Sequence, residues 1–348
     1  MGSNEHYIYA MQLVASTSFP MVLETVIKLK VLEAIAEAGP DAQLTAHEIV
    51  SRLLIPNQDA PEMVDRMLRL LASYSIVTCM EGVHESRPVR VYGLTPVAKY
   101  FIPNEDGASL SGLMQLNQEK VAIGTWSALK DSIVEGGVAF DKVHGTHAYE
   151  YSTSDARFNE VFNNAMLNNT NIIMKKILEC YNGFNNLESV VDVGGGLGIT
   201  TNMIVTKHPN IKGINFDLPH VTQCAPLYPG IQHVGGDMFK EVPHGDAIFM
   251  KSILHNWSDD HCVNLLKNCY KALPVDGKAI IVEKILPFVP DTSSLTKVNT
   301  VLDVNMMTFH GGKERTEDEF LTLAKGAGFI GVTKKCFVGT FWVMEFYK

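Results

Sequence analysis

Between Ser189 and Thr200 the chain reads Ser-Val-Val-Asp-Val-Gly-Gly-Gly-Leu-Gly-Ile-Thr. Residues 190–193 are β-branched and apolar apart from Asp192, the pattern of a short buried strand. Gly194, Gly195, Gly196 and Gly198 then turn the chain into an amphipathic run over 199–207. A strand, a glycine turn and a helix place backbone N–H groups at a helix N-terminus, where a polar or anionic ligand can lie against them. Glycine suits the turn because a Cβ would obstruct that approach or forbid the backbone angles.

The texture around this stretch sets the fold class. From residue 189 onward, strand patterns at Ser189–Val193, 213–217, Ile231–Gly235, Ala247–Lys251 and 278–286 alternate with helical ones. Such alternation predicts an α/β, Rossmann-like, doubly wound parallel sheet. Residues 331–338 and 340–346 read as a final antiparallel pair. Before it, 7–17 and 21–38 carry helical periodicity, broken at Pro20 and ended by Gly39-Pro40. Thr45-Ala-His-Glu48 is a capping-box pattern for a helix that stops before Pro56, and 61–74 forms another helix with Met63, Met67, Leu70 and Leu71 on one face. Strand patterns at 76–80 and 89–94 complete a winged-helix-like arrangement. Helices are also expected over 110–131 and 153–181. The expected domains are 1–115, mostly helical and winged-helix-like, and 116–348, catalytic, whose helices at 116–186 serve a substrate pocket.

Composition narrows the partners. The 348 residues carry a net charge of −9, with no dense basic stripe on 61–74. Nucleic acid is therefore not an expected partner, and the N-terminal module is expected to serve packing or dimerisation. No apolar run reaches membrane-spanning length and the start lacks a secretory layout, so a cytoplasmic protein without membrane attachment is expected. Six cysteines without a CxxC pair fit reduced thiols.

Glycine spacing then selects the ligand. A dinucleotide fingerprint, G-x-G-x-x-G, would need glycine at 199 or 201, where the chain has Ile199 and Thr201. Asp217 ends the next strand and is placed to accept hydrogen bonds from two ribose hydroxyls; Asp237, in Gly-Gly-Asp-Met-Phe, could accept from an adenine amino group. Each aspartate alone reads more readily as a helix N-cap or a loop residue. Three such positions at successive strand ends, with Gly194 opening the loop, fit a nucleoside without phosphates, which points to S-adenosylmethionine, leaving as S-adenosylhomocysteine. No histidine, cysteine and carboxylate cluster has metal-ligand spacing, so no metal is expected.

Val-Asp-Val-Gly-Gly-Gly-Leu-Gly, Ile-Asn-Phe-Asp-Leu-Pro-His, Gly-Gly-Asp-Met-Phe, Leu-His-Asn-Trp-Ser-Asp and Gly-Gly-Lys-Glu-Arg-Thr occur in order. Together with the N-terminal Ala10-Met-Gln-Leu and Leu68-Arg-Leu-Leu-Ala-Ser-Tyr74, they make the chain resemble plant small-molecule O-methyltransferases of the caffeic acid O-methyltransferase type. The resemblance implies a homodimer and S-adenosylmethionine-dependent methylation of a phenolic hydroxyl on a plant metabolite: a phenylpropanoid, coumarin, flavonoid or phenolic alkaloid. A phenol with a pKa of about 10 is a poor nucleophile at neutral pH, so a base is required. His255, just past strand Ala247–Lys251, is that base by resemblance, flanked by Glu283 and Glu314. Glu283, inside an apolar strand, already demands a partner; Glu314 could also cap the helix that follows. The same resemblance gives Met238 and Lys251 to the cofactor, and Leu116, Asn117, Phe158, Phe162, Met166, Leu302 and Met306 to the substrate pocket, with Asn256 beside the base.

Four departures from the caffeate-type pattern stand out: Ser152 for histidine, Ser252 for tryptophan, Asn256 for aspartate, and a segment Thr308-Phe-His-Gly-Gly one residue shorter. They point to a substrate other than caffeate, since pocket volume and polarity set discrimination. A rival expectation from another class is a ligand-sensing regulator with a winged-helix reader and a degenerate methyltransferase domain. Joint retention of His255, Glu283 and Glu314 argues against it.

Overall fold

In the computed structural model, residues 2–84 and 86–348 are described, apart from the side chains of Ser3, His84, Ser152 and Thr153. The Ser152 departure thus lies outside the described side chains. Two compact units are present: the first comprises 1–123 and 156–169, the second 124–155 and 170–348.

Helices and one hairpin make up the first unit. The strands of that hairpin, β1 (Val77–His84) and β2 (Arg87–Leu94), pair in antiparallel register from Val77–Leu94 to His84–Arg87. Two readings of this unit change. Pro20 does not break a helix; it sits in the first turn of Ser18–Lys28, where a missing N–H costs nothing. The chain breaks just ahead of it, between Val14 and Ser18, and a second time at Lys30, which adopts a left-handed φ of 58° before the helix Val31–Ala36. The face of helix Ala60–Ser73 that enters the core is Ala60, Val64, Leu68 and Leu71. Met63, Met67 and Leu70 line a surface hollow with Val22 and Arg66; of the expected face Leu71 is fully buried and Met67 packs against the core from its edge. Met63 is four residues from Met67, but Val64–Leu68–Leu71 is the stripe that meets Leu23, Val26, Ile35 and Ile49. Thr45 caps Ala46–Arg52 as expected, with Glu48 closing the box.

The second unit is built on a seven-stranded sheet. Its strands are β3 (Ser189–Val193), β4 (Lys212–Asp217), β5 (Ile231–Gly235), β6 (Ala247–Lys251), β7 (Lys278–Glu283), β10 (Gly331–Val338) and β11 (Phe341–Tyr347). They lie in the order β10-β11-β7-β6-β3-β4-β5. From β7 to β5 neighbours are parallel, while β11 pairs antiparallel with both β7 and β10. The run expected over 278–286 ends instead at Glu283. Beyond it β8 (Ile285–Leu286) leaves the sheet and pairs with β9 (Arg315–Thr316). This brings the segment around Glu314 beside the end of β7.

Val190, Val191 and Val193, with Ala247 to Met250 and Ala279 to Val282, are buried to within 1% exposure, as parallel strands covered on both faces must be. The chain moves from β3 outward through β4 to β5, then returns to the other side of β3 with β6. That reversal is the switch point, and the carboxyl ends beside it are where open α/β sheets bind ligands.

A buried charge network locks the far edge of this sheet. Glu345 on β11 accepts hydrogen bonds from the Tyr181 hydroxyl at 2.5 Å, Lys278 at 2.6 Å and the Tyr347 hydroxyl at 2.8 Å, and pairs with Lys335 at 3.0 Å. Burial favours its neutral acid, but Lys278 and the other donors outweigh burial and hold the carboxyl at about 2. Because the folded value is depressed, its stabilisation is present above the ordinary value of 4.5 and is lost as pH falls towards 2. Glu345→Gln should destabilise the protein by about 1–3 kcal/mol at pH 7 and by much less at pH 3, measured by thermal unfolding at both pH values.

Candidate active site

The glycine turn follows β3 directly. Gly194, Gly196 and Gly198 have φ of 72°, 58° and 82°, angles that disfavour any side chain. A Cβ on Gly195 would strike Asn215 Oδ1 and approach the Asp192 carboxylate at 2.8 Å, whereas one on Gly196 would meet nothing within 4 Å. The loop is thus packed hard from beneath and open above Gly196, a cradle suited to a ligand lying on backbone. Three buried polar groups hold it from below. The Asp192 carboxylate accepts from Thr201 Oγ1 at 2.8 Å, and burial raises its pKa to about 6. The Asn215 amide donates to the Gly196 carbonyl at 2.9 Å and lies 3.1 Å from His233 Nδ1.

Asp217, at the end of β4, accepts from Gly196 N at 2.8 Å and Leu218 N at 2.7 Å. It therefore shares the glycine cradle. Asp237 is employed locally: its Oδ1 accepts from Phe239 N at 3.0 Å and its carbonyl from Lys240 N, the contacts of a loop turn with no helix after it to cap. Met238 packs against the main core beside it. At the end of β6, Lys251 is largely removed from water; burial lowers its pKa while Asp192 and Glu283 oppose that fall.

Immediately after β6 the chain makes a sharp turn. Ser252 takes a left-handed φ of 58°, unusual for a side-chain-bearing residue, and its N–H donates to the Val282 carbonyl at 3.0 Å. The short 3₁₀ turn Leu254–Asn256 follows and presents His255. His255 Nδ1 lies 3.0 Å from Glu314 Oε1 and 3.9 Å from Glu283 Oε2. The other Glu283 oxygen accepts from Ile253 N at 2.9 Å and Leu254 N at 2.8 Å, so this carboxylate also shapes the turn. Glu314 does not cap the following helix; Thr316 and Glu319 form that capping box. Instead Glu314 faces the imidazole, its own N–H donating to Asp303 Oδ1 at 2.8 Å.

Burial pushes the Glu283 pKa up. For Glu314, burial acts in the same direction, but the hydrogen bond to His255 and the charge of Lys284 hold it down to about 2. Lys284 is the residue that sequence reasoning passed over: its buried ammonium sits 2.9 Å from Glu314 Oε1 and over the Phe341 ring. Arg315 was missed as well. Fully buried, it donates to the carbonyls of Leu254 and Trp257 at 2.7 Å each, gripping the turn on both sides of His255. The signal was available, since a lysine next to Glu283 and an arginine next to Glu314 are costly to bury without partners. His255, Glu283 and Glu314 each offer an atom within 4.8 Å of the others, a spacing that could hold a cation, and the Lys284 ammonium already supplies positive charge there.

The remaining expected residues are divided. Leu116, Asn117, Phe158, Phe162 and Met166 lie in the first unit, where the Phe158 and Phe162 rings are 6.5 Å apart. Leu302 and Met306 lie on helix Ser294–Phe309 of the second unit, with Asn256.

Comparison with known proteins decides the family. A model described as an O-methyltransferase domain matches residues 126–330, and one for an O-methyltransferase dimerisation domain matches 11–104. The chain belongs to the O-methyltransferase family. Within it, this methyltransferase is 55% identical to O-methyltransferase 11 of Lophophora williamsii, covering 99% of the chain and 90% of that protein. It is 54% identical to caffeic acid 3-O-methyltransferase 1 of Populus tremuloides, covering 100% and 96%. Human N-acetylserotonin methyltransferase, solved in complex with SAM, shares the fold at a TM-score of 0.80 and 19% identity, over 100% of this chain and 99% of that one. The enzyme thus has the Rossmann-like methyltransferase fold with a helical dimerisation domain.

Proposed function

We propose that this enzyme uses S-adenosylmethionine to methylate a phenolic hydroxyl of a plant metabolite, acting as a homodimer with His255 as general base. The observation that carries the reading is the His255 geometry. Glu314 engages Nδ1 and so favours the tautomer protonated there, which leaves Nε2 as the basic nitrogen. The relatives named caffeic acid 3-O-methyltransferase support a phenolic substrate.

S-Adenosylmethionine would lie on Gly194–Gly196 with Asp217, near Asp237, Met238 and Lys251, and it supplies an electrophilic methyl on a sulfonium whose neutral leaving group needs no acid. The open face above Gly196 and the carboxylate of Asp217 fit an uncharged ribose better than a diphosphate, which Asp217 would repel. His255 takes the phenolic proton, and the resulting imidazolium is stabilised by Glu314 at 3.0 Å and Glu283 at 3.9 Å. With both carboxylates ionised, Lys284 leaves this cluster one negative charge before the proton arrives and none after. In that state proton transfer neutralises a buried site instead of charging it, and the imidazolium itself favours the state by opposing the burial that raises the Glu283 pKa.

Incubation with labelled S-adenosylmethionine and a panel of catechols, coumarins, flavonoids and phenolic alkaloids tests the reading directly. Methyl transfer to oxygen on at least one of them is expected; transfer to none would overturn it. The chemistry needs no metal, because the base and its charge partners are protein groups. Turnover should stay within about twofold of its initial value after treatment with excess EDTA, and a loss restored by Mg²⁺ would contradict this.

A further inference from the structure

Two thiols at the edge of the large sheet have no place in the reaction above. Cys180 is the last residue of helix Ala156–Cys180, and Cys336 lies on β10, the edge strand. Both belong to the second unit. They are 156 positions apart in sequence, yet their Sγ atoms lie 2.8 Å from one another. A disulfide needs an S–S distance of about 2 Å, so closing one here takes a movement of less than about 1 Å.

Local structure brings the pair together. Along β11 the register of β10 skips a residue, with Lys334 opposite Met344 and Cys336 opposite Val343. This bulge passes over Lys335 and sets Cys336 on the side of Val338, two residues further on. Cys336 there packs against the cluster that holds Val338, Phe341, Ile177, Leu178 and Tyr181. The end of the helix is anchored in the same cluster, and Tyr181, next to Cys180, is tied through its hydroxyl to Glu345. The thiols differ in access. Cys180 is exposed, whereas Cys336 is half-buried; burial first, then its hydrogen bond with Cys180, push the Cys336 thiol up to about 12. The thiolate is the attacking form, so Cys180 is the sulfur that meets an oxidant and Cys336 the one that resolves the product.

We propose that Cys180 and Cys336 form a reversible disulfide, a redox modification site that locks the catalytic unit. The oxidant is a small disulfide of the glutathione class. The Cys180 thiolate attacks one of its sulfurs, forming a mixed disulfide and releasing one glutathione thiolate. Cys336 gives up its proton and displaces the second glutathione as its sulfur bonds to that of Cys180. The protein loses two hydrogens and the oxidised glutathione becomes two thiols, so atoms and electrons balance. The closed ring runs from the helix end to β10 and therefore encloses Gly194, His255, Glu283 and Glu314. Cross-linking so long a loop acts mainly on the unfolded chain, so the oxidised enzyme resists unfolding while its site is untouched. This holds whatever the enzyme methylates.

The test incubates the full-length wild type and Cys180→Ser with oxidised glutathione at about pH 8, where thiolates are more abundant. Peptides are then mapped by mass spectrometry without reduction, and thermal midpoints are measured with and without dithiothreitol. In the wild type the peptides of Cys180 and Cys336 should be found joined, short of two hydrogens. Its midpoint should be about 5–10 °C higher oxidised than reduced. Cys180→Ser, a surface change, should show no such rise. Cys79 and Cys224 are exposed as well and should take up glutathione in both proteins, so they cancel in the comparison. Cys336→Ser should keep glutathione on Cys180, because the resolving thiol is gone. The proposal is overturned if the wild type carries glutathione on Cys180 without a bond to Cys336, if either cysteine joins another partner, or if the oxidised and reduced midpoints coincide.

Discussion

Replacing His255 with alanine is expected to lower turnover at pH 7 by about 10²–10⁴-fold, the usual contribution of a positioned general base. Affinity for S-adenosylhomocysteine should change by less than about threefold, because the glycine cradle and Asp217 are held by Asp192, Asn215 and backbone groups rather than by His255. The pH profile distinguishes loss of the base from general damage. Without His255 the phenol must ionise unaided, so activity of His255→Ala should climb steadily as pH rises towards the phenol pKa of about 10, narrowing the gap to the wild type. Measuring kcat with a saturating catechol between pH 7 and pH 10, alongside calorimetric titration with S-adenosylhomocysteine, provides both readouts. Turnover within a few-fold of wild type at pH 7 would remove His255 from the role of base.

How the site came to be legible follows from which forces write themselves into sequence. The strands β3 and β6 were readable to the residue because a parallel strand covered on both faces leaves a nearly unbroken apolar run, while β5, at the sheet edge, is bracketed by Gly230 and Gly235. The end of β7 was not readable. Glu283-Lys284-Ile285-Leu286 continues the same β-prone texture, and what stops the strand is the pairing of Ile285 and Leu286 with Arg315 and Thr316, thirty residues away. Pro20 misled for a different reason: proline forbids a helix interior but suits a first turn, and only the start of the helix at Ser18 distinguishes them. In the site, Glu283 announced itself as a charge in an apolar strand, whereas Glu314 sat in a polar segment where capping was an equal explanation. The family resemblance supplied its role, and the 3.0 Å contact to His255 now gives that role a geometry. Lys284 and Arg315 escaped notice because surface lysines and arginines are common, although each stands next to a carboxylate of the site.

Arg315 carries the second large expectation. Its guanidinium is wholly buried and makes four hydrogen bonds: one each to the Leu254 and Trp257 carbonyls at 2.7 Å, and two to Asp259 Oδ1 at 3.0 and 2.9 Å. The Asp259 side chain is 54% exposed, and an ion pair open to water contributes only about 0–1 kcal/mol. The weight therefore rests on the two carbonyls, which flank His255, that of Leu254 buried and that of Trp257 partly buried. Arg315→Ala leaves both without this donor and opens a cavity, so it should destabilise the catalytic unit by about 3–5 kcal/mol and lower its thermal midpoint by about 10 °C. Arg315→Lys keeps the charge but cannot reach both carbonyls and Asp259 with one ammonium, and should recover less than half of that loss. Asp259→Ala is the discriminating variant. If the carbonyl grip dominates, this change should cost no more than about 1 kcal/mol and leave turnover nearly intact; a loss as large as that of Arg315→Ala, measured by denaturant unfolding on both proteins, would shift the role of Arg315 from holding the catalytic turn to holding the helix that begins at Asp259.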